Sequence, residues 1–350
     1  MQKSLITSLA VLVSASVLAA CGPSDTTSNS GSGDTTAATT LSLVSYSVPK
    51  AAYDVAQKAF AETPAGKGVT FESSYGASGD QSRAVEAGKK ADYVNFSLEP
   101  DVTRLVKAGL VADDWNKGAH KGIISKSVVV LVVRKGNPKH IEGWDDIVKP
   151  GIGIVTPNPG SSGSAKWNIL AAWAHATANG TDEDGKAFIE KFFANAVTLA
   201  ASGREATTAF AGGTGDVLIS YENEAIFARQ SGEDFDYVIP DITLQIENPA
   251  AVTKSADPKA KEFLDYVLSE AGQKAFVSKG FRPVIDGLDK ETVKGANDPK
   301  DPFPAPAKKL ATIADFGGWS EVNKKFFATK EKDGSDGIIT TIQNASGKGN

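Results

Sequence analysis

The sequence predicts an α/β protein of two lobes, each an open mixed sheet flanked by helices. Three observations carry that reading. Short apolar runs alternate with helix-period segments along most of the chain, as in βαβ units. One run, Lys126–Pro138 ("KSVVVLVVRKGNP"), is β-branched without alternation, as in a strand buried on both faces. The length, 350 residues, favours two such sheets over one.

The first twenty residues stand apart. "MQK" brings one positive charge, and "SLITSLAVLVSASVLAA" is apolar with small residues. This is the layout of a secretory signal, too short and serine-rich for a permanent span. Leu18-Ala19-Ala20-Cys21 resembles the lipobox of bacterial lipoproteins. That resemblance implies cleavage before Cys21, lipid on its sulfur, and a protein held on the outer face of the cytoplasmic membrane. Cys21 is the only cysteine, so no intramolecular disulfide is available to an exported chain. Residues 22–40, "GPSDTTSNSGSGDTTAATT", have the composition of a flexible linker. The expected order is therefore a signal over 1–20, a lipidated cysteine with its linker over 21–40, and then the folded part.

In the folded part, Leu41–Tyr46 alternates apolar and polar residues and reads as a strand. Ala51–Glu62 carries Tyr53, Val55 and Phe60 at roughly helical spacing, and Gly68–Gly76 is a second strand. A helix and a strand at Tyr93–Phe96 follow. The next helix, "EPDVTRLVKAGLV", places Val102, Leu105 and Val106 on one face. After the β-branched run, stopped by Gly136-Asn137-Pro138, the alternation resumes. Strands are expected at 152–156, 197–201, 216–221 and 236–240, and helices at 164–178, 184–194, 204–211 and 223–229. "AKEFLDYVLSEAGQKAFVSKG" reads as helical, 298–307 as irregular, "IADFGGWSEVNKKFFATK" as helical, and the end as a polar tail. No solenoid repeat is present.

Four loops follow strands and open helices with Ser, Gly or Thr: "YGASGDQS" (75–82), "NPGSSGSAKW" (158–167), "ASGREATT" (201–208) and "SYENEA" (220–225). Helix starts leave N–H groups unpaired, and the dipole there favours negative charge. Several starts aimed at one point make an anion cradle without Lys or Arg. The rival is a nucleophilic serine, but Gly160-Ser161-Ser162-Gly163-Ser164 lacks the final Gly of a nucleophile elbow. Only His120, His140 and His175 could serve as base, and His175 falls on a predicted helix. No HExxH motif, Cys/His cluster or dinucleotide fingerprint calls for a metal or cofactor. The formal charge of -5 supplies no basic stripe for nucleic acid. The expectation is a binding protein without a cofactor, with a serine hydrolase as the alternative of another class.

The segments "VSYSVPKAAYDVAQKAF", "VVVLVVRKGNPKHIEGWDDIVKPGIGIVTPNPGSSGSAKWNILAAWAHA", "GTGDVLISYENEA" and "GFRP" resemble the sulfate-binding proteins of ABC transporters. The resemblance spans Leu41 to Pro283 and implies a two-lobed periplasmic-binding-protein fold of type II, with the anion closed between the lobes. Crossovers are then expected near Val128–Arg134 and Thr243–Thr253. Residues 41–127 plus 250–345 would form one lobe and 128–249 the other. The implied partners are sulfate and a membrane permease, and the implied state is a monomer. The implied ligands are backbone N–H groups of Ser78, Gly163, Ser164 and Gly203, the hydroxyl of Ser162, and an aromatic donor at Tyr221.

Some positions depart from the family's pattern. Ser164 stands where Gly is usual, and the Ser202-Gly203 loop is one residue shorter. Tyr221 replaces an indole. Ser47 and Lys166 replace an Asp and an Arg that pair across the cleft. Asp80 follows the first anion loop where Lys is frequent. Sulfate carries no proton near neutral pH and needs donors only, whereas hydrogen phosphate also needs an acceptor. Asp80 is therefore the candidate selectivity residue: inside the cleft it would suit phosphate, and at the helix start facing water it would only favour the dipole. Thiosulfate shares the donor-only requirement.

Overall fold

A computed structural model describes residues 38–349. The signal segment, Cys21 and nearly all of the linker lie outside the described residues. No helix among the described residues is long and apolar enough to cross a membrane.

The elements run β1 (Thr39–Tyr46), α1 (Lys50–Ala61), β2 (Val69–Gly76), α2 (Ser78–Glu86), β3 (Tyr93–Asn95), α3 (Glu99–Lys107), β4 (Ile123–Arg134), α4 (Trp144–Ile147), β5 (Ile154–Pro157), α5 (Gly163–Ala176), α6 (Asp182–Asn195), β6 (Ala196–Ala200), α7 (Gly203–Ala211), β7 (Val217–Tyr221), α8 (Glu222–Gln230), β8 (Phe235–Val238) and β9 (Ile242–Val252). After α9 (Lys259–Leu268) and α10 (Glu270–Val277) come β10 (Lys309–Ala311), a 3-10 turn (Ile313–Phe316), α11 (Trp319–Val322), a π turn (Asn323–Phe327), α12 (Lys330–Asp333) and α13 (Ile338–Ala345).

The strand order is β2-β1-β3-β9-β4-β7-β5-β6, with β10 on β9 and β8 on β4. Pairing is parallel within β2-β1-β3 and within β7-β5-β6, and antiparallel wherever β4 or β9 meets these sets. The two long strands belong to both halves. β9 pairs with β3 through Ala250–Val252 and with β4 through Gln245–Pro249, while Val129–Val133 of β4 pairs with β7. The β-branched run is buried on both faces. Val129, Leu131 and Val133 join one apolar cluster with Trp167 and Ile169; Val128, Val130 and Val132 join another with Phe210 and Phe235. Fully burying each such side chain contributes about 1.5–3 kcal/mol.

The C-terminal third departs from expectation. The segment read as one helix over 313–330 is broken, because Gly317 and Gly318 take φ of 82° and 90°, which a helix does not allow. The polar tail contains α13, whose Ile339 and Ile342 are buried and which packs on α6. Its β-branched sequence is a weak helix former, so packing rather than propensity supports it. The segment 250–345, expected to group with 41–127, meets different neighbours along its length. α9 and α10 pack on α1, but Leu288, Val293 and Ala296 join the cluster of Phe210 and Ile226. Trp319 then meets Trp167 edge to face at 4.9 Å, and Phe326 meets Trp173 at 4.9 Å. α5 is apolar on nearly every side, and the chain end covers the face that the sheet leaves bare.

Candidate functional site

A small pocket of about 150 Å³ lies at the carboxyl ends of β1, β2, β5 and β6, where open α/β sheets place their ligands. Its walls are Tyr46 and Ser47 after β1, Gly76, Ala77 and Ser78 at the start of α2, Ser97 after β3, Ser162, Gly163 and Ser164 at the start of α5, and Ser202 and Gly203 at the start of α7. No lining residue carries a charge, and three helix N-termini converge on the space. A larger groove, of about 3010 Å³ on the same measure, lies between α2–α3 and the C-terminal segment and is lined by mixed charges, including Arg83, Glu86, Arg104, Lys107 and Lys324. The helix starts on its walls, at α3, α11 and α12, open on Glu99, Trp319 and Lys330 rather than on serine or glycine.

Each helix start leaves different groups free. Ser162 occupies the N-cap of α5, yet its side chain makes no capping bond and is only 3% exposed. Its loop is pinned from behind: Ser162 N donates to Asn158 O at 2.8 Å, and the Ser161 hydroxyl donates to Ala201 O at 2.9 Å. The Ser162 hydroxyl and the N–H groups of Gly163 and Ser164 therefore remain for a ligand. At α7, the Ser202 hydroxyl accepts from Glu205 N at 3.2 Å, an ordinary cap that leaves the Gly203 N–H. At α2, the Ser78 hydroxyl is spent. It donates to Asp101 Oδ2 at 2.6 Å and accepts from Ser97 N at 2.9 Å, so only the backbone of Ser78 can serve the pocket. Burial raises the pKa of Asp101, opposed by the Ser78 bond and by the charges of Lys166, Arg104 and Arg83.

The walls come close enough to require glycine. A Cβ on Gly163 would stand 2.5 Å from Ser97 Oγ, and one on Gly203 would stand 2.8 Å from Ser164 Oγ. Hydrogen bonds join the two halves of the sheet across the pocket. Gly79 N donates to Ser161 O at 3.2 Å, Trp167 Nε1 to Ser97 O at 3.0 Å, and Arg204 Nη2 to Val48 O at 3.1 Å. Lys166 turns to the C-terminal segment instead, donating to Asn323 Oδ1 at 3.3 Å over the Phe327 ring. Burial, the largest cause, lowers the Lys166 pKa to about 8, with Asp101 opposing it.

Ser78, Ser162, Gly163, Ser164 and Gly203 thus line one pocket. Tyr221 stands one layer behind it. Its hydroxyl lies 2.7 Å from Ser97 Oγ, with Ser164 and Asn248 close by. Asp80 is more than half exposed and pairs with Arg83, outside the lining. The fourth loop differs from the other three. At the start of α8 the carboxylate of Glu222 takes Arg282 Nε and Nη2 at 2.7 and 3.0 Å, and that of Glu224 takes Arg204 Nη2 and Nε at 2.6 and 3.0 Å. Both acids are buried, at 0% and 1% exposure, so this start already has its anions. His175 lies about 18 Å along α5 from Gly163, at 1.5 Å per residue. It pairs with Asp145 rather than with Ser162.

Tyr46, Ser47, Ser97 and Ser202 were not among the expected site residues. Tyr46-Ser47 ends a strand just as the flagged loops do, so it carried a usable signal. Ser97 sits in "NFSLEP", which has no glycine to mark it.

Comparison with known proteins identifies the family. Residues 41–282 match the model for the bacterial extracellular solute-binding protein family. The chain is similar to a sulfate-binding protein of Synechococcus elongatus, 39% identical and covering 96% of this chain and 95% of that one. It is also similar to a thiosulfate-binding protein of Pseudomonas aeruginosa, 34% identical and covering 83% and 90%. Among solved structures, the sulfate-binding protein of Mycobacterium tuberculosis is 46% identical with a TM-score of 0.78, covering 83% of this chain and all of that one. A periplasmic thiamin-binding protein, 17% identical with a TM-score of 0.62, shares the fold alone. The chain belongs to the bacterial extracellular solute-binding protein family and has its two-lobed α/β fold.

Proposed function

We propose that this protein captures sulfate outside the cytoplasm, closes on it, and delivers it to the permease of an ABC transporter. The observation that carries this reading is a pocket with uncharged walls on which three helix N-termini converge. Such a cradle supplies donors where a dianion needs them. The donors are the N–H groups of Ser78, Gly163, Ser164 and Gly203 and the hydroxyl of Ser162, with Tyr221 bracing Ser97 from behind. No carboxylate lines the pocket to accept the proton of hydrogen phosphate. A buried group left unmatched costs about 1–3 kcal/mol, roughly ten- to a hundredfold in affinity. The names of the similar proteins support the same ligand. Thiosulfate is the second reading, favoured by the thiosulfate-binding relative and by the shared need for donors alone.

The lobes are read as closing about β4 and β9, with residues up to about 127 and 250–283 in one and 128–249 with the chain end in the other. No covalent step is assigned to any residue. A lipid on Cys21 would hold the protein at the membrane. The test is calorimetric titration of the chain from Ala37 with sulfate and phosphate at pH 5.5 and 8. The expected result is sulfate binding near micromolar, about -8 kcal/mol, flat with pH, with phosphate silent. Phosphate binding with sulfate silent would overturn the assignment.

A further inference from the structure

Several side chains among the described residues bury a polar atom that makes no hydrogen bond, and one of them, Tyr46, lines the anion pocket. Tyr46 is the last residue of β1, in parallel register with Gly76, and its ring is packed into the main apolar cluster at 2% exposure. The groups around its hydroxyl are already committed. Glu224 is held by Arg204 and by the Thr207 hydroxyl, and Tyr221 by Ser97. Burial, then the nearness of Tyr221 and Glu224, raise the Tyr46 pKa well above its ordinary value, so the phenol keeps its proton.

We propose that Tyr46 is a further ligand-binding residue, its hydroxyl donating to an oxygen of the tetrahedral anion held between the starts of α2, α5 and α7. The proposal rests on the reading of that pocket as a sulfate site. It also gives the hydroxyl a part in closure. Shutting the pocket strips water from the phenol, and without an anion nothing replaces that bond, whereas with sulfate the oxygen atoms of the ligand accept it. Closure is then favoured when the pocket is full and resisted when it is empty. Tyr221 contrasts with it: its hydroxyl is satisfied by protein groups whether or not a ligand is present.

The experiment compares Tyr46→Phe, Tyr221→Phe and Ser162→Ala with the wild type, by sulfate calorimetry and by melting with and without sulfate. Tyr46→Phe keeps the ring and removes only the orphan hydroxyl. Its sulfate affinity should fall about tenfold, a typical effect of one lost hydrogen bond, while the sulfate-free melting temperature stays level or rises. Tyr221→Phe should lower the sulfate-free melting temperature, because a satisfied buried bond is lost. Sulfate affinity of Tyr46→Phe within twofold of wild type, with Ser162→Ala weakened, would overturn the role of Tyr46 and leave the site standing. A sulfate-free melting temperature of Tyr46→Phe that falls in step with affinity would make the hydroxyl structural. If the wild type itself ignores sulfate, the reading of the pocket fails, and this proposal with it.

Discussion

The starts of α5 and α8 are built alike and do opposite things. Each follows a strand of the same half of the sheet, each is buried, and each has an N-cap whose side chain makes no capping bond. At α8 the chain supplies its own negative charge. Glu222 and Glu224 occupy the first turn, and Arg282 and Arg204 neutralise them. At α5 the first turn is Gly163, Ser164 and Ala165, and the space beyond it is pocket. The same dipole and the same unpaired N–H groups therefore meet a structural ion pair in one place and an uncharged pocket wall in the other. What separates them is whether the protein brings carboxylates to the turn.

Breaking the α8 side should give the largest effect. Glu222→Ala leaves the partly buried Arg282, 15% exposed, without its carboxylate and should cost about 3 kcal/mol of stability in denaturant unfolding, the low end for a buried pair. Replacing both, as Glu222→Leu with Arg282→Met, should recover most of that loss. On the α5 side, Gly163→Val would drive a side chain into Ser97 and Leu98 of the facing wall. Sulfate affinity should fall by about two orders of magnitude, or about 3 kcal/mol, measured calorimetrically. Ser162→Ala should weaken sulfate by roughly 1–3 kcal/mol while the sulfate-free melting temperature barely moves. That is the reverse of the Glu222→Ala pattern.

Lys166 tests the same field from the other sign, since it sits within the first turns of α5, where a cation is unfavourable. Its pKa is lowered from 10.5 to about 8, so the folded form sheds a proton that the unfolded chain keeps. Stability relative to Lys166→Met should therefore rise as pH climbs from about 8 to about 10.4 and stay flat below 8. Melting curves of both proteins across that window would check it. The smallest effect belongs to Asp80→Asn. An exposed pair with Arg83 is worth about 0–1 kcal/mol, and the preference for sulfate over phosphate should not change.

Much of this was legible beforehand because it is local. The period-2 and period-3.6 patterns marked most strands and helices from Leu41 to Val277, though not α4 or β9, and the β-branched run marked β4 as buried on both faces. Glycine and serine after strands marked three helix starts that do meet. The resemblance to sulfate-binding proteins supplied which atoms of those starts to name. The helix α13 was not legible, because "IITTIQNA" has little intrinsic helicity and is held by α6.

The sequence by itself determined that the helix starts would be rich in unpaired donors, because that follows from residues adjacent in the chain. Only the tertiary structure decided which of those starts would stay open. Glu222 finds Arg282 60 residues away, Ser78 gives its hydroxyl to Asp101 23 residues on, and Tyr46 finds no partner for its hydroxyl. Whether a polar group is satisfied depends on what the fold brings to it. A hydroxyl or a carboxylate has the same spelling in the chain whether it is paired, buried without a partner, or turned to water.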